Sequence, residues 1–189
     1  MAIDRQKIVD LLSYEGYPAF TPLALAHTQQ HEVYFNYKNN EALSFFEEGL
    51  KELGMTRSHL HSLTCIHANN KLRTNIASPT IHQWKEILGI TVSLHGHNFQ
   101  ELFSNLTRGN YQIGIMGWRP LINDPLYSLN IFKYSSEEIN FSKWEHKEYQ
   151  KLLDFADREP HGQQRKKILK EAEAILIQET PVMPLFHEW

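Results

Sequence analysis

The chain has 189 residues, 41% of them hydrophobic and 22% charged, with a formal net charge of −3. This is globular composition, long enough to bury a core without disulfides or a structural metal. One cysteine, nine glycines and eight prolines exclude disulfide-rich, collagen-like and low-complexity classes, and with no long apolar run and no basic block, neither a membrane span nor a nucleic-acid footprint is expected.

Asp4 is placed to cap a first helix, in which Ile8, Val9 and Leu12 recur at helical spacing and Gly16 stops the run. From Gly16 to Asn40 there is no sustained period; this stretch reads as loop with one short strand at Glu32–Tyr37. Asn40 can cap a second helix carrying Ala42, Phe45, Phe46, Leu50 and Leu53, with Gly54 at the C′ position. An alternation follows. Leu63–His67 is a short strand, and a helical stretch from Asn69 or Asn70 runs to Leu88 and closes at Gly89. Pro79 either kinks this helix or opens a new one. Ile90–Leu94 is the next strand. Asn98 and Glu101 form a capping-box pair ahead of Phe99, Leu102, Phe103 and Leu106, and Gly109 terminates the helix.

Tyr111–Trp118 is a third strand, apolar enough to be covered on both faces. Strand, helix, strand, helix, strand in this order implies parallel pairing through right-handed crossovers. An irregular stretch leads to a further capping box at Ser142 and Glu145, before a helix with Tyr149, Leu152, Leu153 and Ala156. The last helix carries Ile168, Leu169, Ala172, Ile175 and Leu176 and breaks at Thr180-Pro181, because a residue before proline avoids the helical region. Val182–Phe186 closes the chain as an edge strand. With no repeat and no linker, residues 1–189 read as one α/β domain. The first helix starts almost at Met1 without a signal peptide, and the chain stops at Trp189 just after the last strand, so both ends read as cut from something longer.

Catalytic patterns are missing. There is no GxSxG, P-loop, GxGxxG or HExxH; Cys65 lies mid-strand as a structural thiol, and Asp154 and Asp157 share a helix with Lys151 and Arg158 as a solvated charged face. No enzyme and no cofactor are expected. Among the eleven histidines, His95 and His97 form an HxH pair at the carboxyl end of a parallel strand, where open sheets bind ligands. Spacing fixes no third ligand, and the pair stands only as a low-ranking metal reading. Trp118 is different. It is delivered at a strand end, and the chain leaves through Pro120, Asn123, Asp124 and Pro125, which is turn chemistry. A flat aromatic there is either a pocket wall or a cap on the core.

Six segments in order carry a resemblance: Ala2-Ile3-Asp4-Arg5 with Ile8-Val9; Gly16-Tyr17-Pro18-Ala19 with Pro22-Leu23; Glu41 to Gly54; Trp84 with Leu88-Gly89-Ile90-Thr91-Val92; Gly109 to Ile113, then Gly117-Trp118 and Asn123-Asp124-Pro125; and Pro181 to Leu185. Together they resemble the C-terminal lobe of the family 5 extracellular solute-binding proteins, the oligopeptide, dipeptide and nickel receptors of ABC importers. The resemblance implies one lobe of a periplasmic-binding-protein type II-like architecture, a mixed sheet with a βαβαβ core and flanking helices, the other lobe lying outside this chain. It implies a monomeric, periplasmic or lipid-anchored receptor that captures peptides or peptide-like solutes in an interlobe cleft and delivers them to a membrane permease, without nucleic acid. Trp118, Arg119, Leu121 and Ile115 are the expected ligand-binding residues, and Asn123, Asp124 and Pro125 shape the loop. A nickel-type receptor using His95 and His97, and a freestanding lobe acting as an interaction module, are the alternatives. Three positions charged in the family's peptide receptors are aliphatic here, at Leu106, Ile115 and Leu121, which suits a more apolar ligand or one gripped by the other lobe.

Overall fold

The computed structural model describes residues 1–12, 16–23 and 37–188. The proposed strand at Glu32–Tyr37 lies outside them but for Tyr37, which is not in a strand. By internal contacts the chain divides into two compact units, one within Met1–Pro18, Phe35–Gly117 and Phe186–Trp189, the other within Ala19–Tyr34 and Trp118–Leu185.

The first unit opens with α1 (Arg5–Leu11), capped by Asp4, whose side chain accepts from the Lys7 amide. Strand β1 (Gly16–Pro18) pairs antiparallel with β5 (Phe186–Glu188) as a two-stranded ribbon. Helix α2 (Asn39–Glu52) starts two residues earlier than Asn40 capping would put it, with Lys38 as N-cap and no side-chain cap bond, and ends before Gly54 at φ +62°. Strand β2 (Leu63–Ala68), helix α3 (Lys71–Leu88), strand β3 (Val92–His97), helix α4 (Phe99–Arg108) and strand β4 (Ile113–Ile115) then build a parallel three-stranded sheet in the order β3-β2-β4. Asn70 and Asn98 cap α3 and α4 by accepting from the amides three residues on, and Gly89 and Gly109 end them in the left-handed conformation.

Proline 79 sits inside one continuous α3. Its ring removes one amide donor, and the next hydroxyl, Thr80 Oγ1, donates to the Ile76 carbonyl at 2.8 Å. The core of this unit gathers Cys65, Ile81, Ile90 and Val92, with Leu94, Ile113, Ile115, Trp84 and Leu88 packed against it. Gly114 is glycine for a packing reason: a Cβ there would stand 2.6 Å from Leu106 Cδ2. Leu106 is thus a buried prop under the sheet, which accounts for its being aliphatic.

The second unit is helical. Helices α5 (Pro125–Leu129), α6 (Lys147–Arg158) and α7 (Gly162–Glu179) surround Leu126, Leu129, Phe132, Tyr149, Leu153, Ala156, Leu169, Ala172 and Leu176, with Leu23 added from the chain before. The expected capping box at Ser142 and Glu145 does not form. His146 caps α6 instead, while Glu145 accepts from the amide and hydroxyl of Ser135. Helix α7 ends as expected at Thr180-Pro181, with Thr180 at φ +50°. The final strand begins at Phe186 rather than Val182, since Pro181 and Pro184 cannot donate to a ladder.

Candidate functional site

Three parallel strands place their carboxyl ends along one edge of the first unit. The edge is made of Ala68 with Asn69 and Asn70 after β2, His95–His97 at the end of β3, and Met116 and Gly117 after β4. Because β3 and β4 lie on opposite sides of β2, the crossover from β2 runs to one side and the crossover from β3 returns past β2 to the other. Open parallel sheets bind ligands outside their carboxyl ends at such a switch point. Arg73, in the first turn of α3, occupies that place. Its guanidinium packs over Gly117, where a Cβ would meet Nη2 at 2.0 Å, and lies 3.7 Å from a carboxylate oxygen of Glu188. Arg73 was not singled out by sequence, because its proximity to Gly117 exists only once β2 and β4 are paired. The visible signal was the invitation to close approach carried by the glycine itself.

The histidine pair lies on β3, His95 exposed and His97 half-buried. His97 Nδ1 is 3.6 Å from Glu101 Oε2, one turn into α4. Among the described residues no group of three or more His, Cys, Asp or Glu side chains is placed to hold a metal ion. On the central strand, His67 is buried, with Nδ1 2.9 Å from the Ala68 carbonyl, so that nitrogen is the protonated one. The Cys65 thiol beneath is pushed up to about 11 by burial.

The residues expected to line a pocket fall in both units. Ile115, on β4, is half-buried and packs on the sheet's core, in register with His67. The strand stops there, three residues short of Trp118, so Trp118 stands in the loop and not at a strand end. Trp118 belongs to the second unit and is 48% exposed. Arg119 is exposed, and Leu121 and Ile122 are 88% and 57% exposed. Asp124 ends the loop. Its Oδ1 accepts from the Leu126 amide at 2.8 Å, which caps α5 with Pro125 at its first position, and its carboxylate meets Arg165 Nη2 at 3.0 Å. The second unit also has a cleft of about 230 Å³ lined by Leu23, Pro125, Arg165, Lys166, Lys170 and Glu173 among others. Glu173 is buried there, accepts from the Thr21 hydroxyl, and has its carboxyl pushed up by burial. No helix among the described residues is long and apolar enough to cross a membrane.

Comparison with known proteins gives this geometry a context. A family model described as bacterial extracellular solute-binding proteins, family 5, middle region, matches residues 1–140. An oligopeptide-binding protein OppA of Bacillus subtilis (strain 168) is 33% identical over 193 residues, covering 98% of this chain and 35% of the relative. A probable deoxycholate-binding periplasmic protein YgiS of Escherichia coli (strain K12) is 25% identical over 149 residues, covering 79% of this chain and 28% of the relative. Among solved structures, Haemophilus influenzae OppA in complex with RPPGFSPFR superposes with a TM-score of 0.86 at 21% identity, over 98% of this chain and 37% of that one, which establishes the shared fold. The chain thus spans about a third of the length of these relatives.

Proposed function

The chain belongs to family 5 of the bacterial extracellular solute-binding proteins, and from that membership we propose that it forms the C-terminal lobe of a receptor that captures oligopeptides or peptide-like solutes for an ABC importer. Proteins of this family bind their solutes and do not transform them. The observation that carries the reading is the 33% identity, sustained over 98% of the chain, to an oligopeptide-binding protein. The geometry supports it through a parallel sheet whose carboxyl edge offers Arg73 at the switch point, and through an exposed aromatic and aliphatic loop from Trp118 to Ile122.

In this reading the solute lies in a cleft closed by the other lobe. Trp118 stacks on it, Arg119 meets an acidic group, and Leu121 and Ile115 shape the pocket. Asn123, Asp124 and Pro125 hold the loop. Closure of two lobes buries the solute and presents the receptor, as a monomer outside the cytoplasm, to a permease in the membrane. A second reading, an apolar solute, is favoured by Leu121, which is 88% exposed where the peptide receptors of the resemblance carry an acid; the relative named for deoxycholate binding accords with it.

Native mass spectrometry of the full-length receptor, purified from the compartment to which it is exported, tests the choice. A ladder of peptide masses is the expected result. A single non-peptide mass overturns the peptide reading in favour of the apolar one, and a metal-containing mass overturns both.

A further inference from the structure

We propose that Arg165 is a positioning residue for the ligand loop 118–123, acting through Asp124; this rests on the reading of that loop as part of the solute site. The loop has little burial to hold it, for Leu121 and Ile122 are 88% and 57% exposed. The anchoring of its end therefore helps to set its geometry. Asp124 is that end, and it performs two tasks with one carboxylate. Oδ1 accepts from the Leu126 amide at 2.8 Å, while Oδ1 and Oδ2 each lie 3.0 Å from Arg165 Nη2. The same guanidinium donates through Nε to the Ala156 carbonyl at 3.1 Å. Ala156 lies in the last turn of α6, where carbonyls lack a helical partner, and Arg165 stands in the first turn of α7.

A single side chain thus ties the exit of the loop to both helices of the α6–α7 pair, across 41 residues of sequence. The two side chains are 27% and 34% exposed, so the pair is partly sheltered and charge-assisted, unlike a freely solvated surface bridge. The planar guanidinium is required for the arrangement, because it bonds two acceptors in different directions; a lysine can reach one of them. Loss of Arg165 leaves the α5 cap in place, removes the tie of the carboxylate to α7, and loosens the exit of the loop that carries Trp118.

The test uses the full-length receptor labelled with 5-fluorotryptophan, the Trp118 resonance being assigned through Trp118→Phe, with trialanine and pentaalanine as binding probes. Arg165→Ala is expected to shift or broaden the Trp118 resonance, leave that of Trp84 unchanged and weaken peptide binding by about tenfold. Arg165→Lys should recover part of both effects. Asp124→Asn, which keeps an oxygen for the Leu126 amide, should reproduce Arg165→Ala, and the double variant should be no worse than either single one. A lowered melting temperature with an unmoved Trp118 resonance overturns the proposal, as do additive effects of the two substitutions. If wild-type receptor binds neither peptide while the fluorine changes occur as stated, the peptide reading fails and the positioning role stands.

Discussion

The guanidinium of Arg73 fills the space a side chain would need at Gly117: a Cβ there would lie 2.0 Å from Nη2 and 2.7 Å from Cζ. The glycine lets the backbone after β4 pass beneath the cation, and the cation in turn is held near Glu188 at 3.7 Å. Two residues 44 apart in sequence therefore specify each other's identity at the sheet's carboxyl edge.

Gly117→Ala forces the Arg73 head group aside. Because the obstacle is the far end of a flexible side chain, we expect a cost of about 1 kcal/mol in denaturant unfolding, below that of overpacking against a rigid core. Adding Arg73→Ala should return most of that loss, with a coupling of about 0.5 kcal/mol or more in the double-mutant cycle. Strictly additive substitutions would remove the packing explanation.

Tyr149 is fully buried, and its hydroxyl donates to the Leu129 carbonyl at 2.7 Å, joining α6 to α5. Burial, together with the charge of Glu173, pushes its ionisation upward. Tyr149→Phe keeps the ring in the core and strands the carbonyl, so unfolding stability should fall by about 1–2 kcal/mol. A neutral substitution would mean that the Leu129 carbonyl finds another partner.

Cys65 is fully buried on the central strand, and its thiol is pushed up to about 11 by burial. At pH 8 almost no thiolate is present, and none is accessible. Native protein should therefore resist an aromatic disulfide reagent, and the unfolded chain should react with one equivalent. Rapid labelling of the native state would contradict the buried placement.

Glu173 gives a pH dependence opposite to that of most carboxylates. Burial raises its ionisation above the ordinary value of 4.5, against the smaller pulls of the Thr21 hydroxyl and Lys170. Arg165 and Lys166 line the same cleft, and Tyr149 senses the Glu173 charge. A folded-state value above the unfolded one means that the folded chain holds the proton more tightly. The stability this supplies is complete below the unfolded value and is lost as pH rises through the folded one. Glu173→Gln should gain in melting temperature relative to wild type between pH 4 and pH 7. A constant difference across that range would show that Glu173 titrates like a solvated acid.

Sequence by itself determined the local closures and the order of elements. Asp4, Asn70 and Asn98 accept from amides three residues on, and Gly89 and Gly109 end their helices, because such bonds close within a turn and depend on the residues inside it. The alternation from β2 to β4 already implied parallel pairing, and the ordered segments pointed to the family. Tertiary structure decided the rest. It ended β4 at Ile115, left Trp118 half exposed, and moved the α6 cap from Ser142 to His146 by engaging Glu145 with Ser135. It also brought Arg73 over Gly117 and Arg165 onto Asp124. Those partners are tens of residues apart, and nothing within a helical turn encodes them; they meet only when strands pair and helices pack.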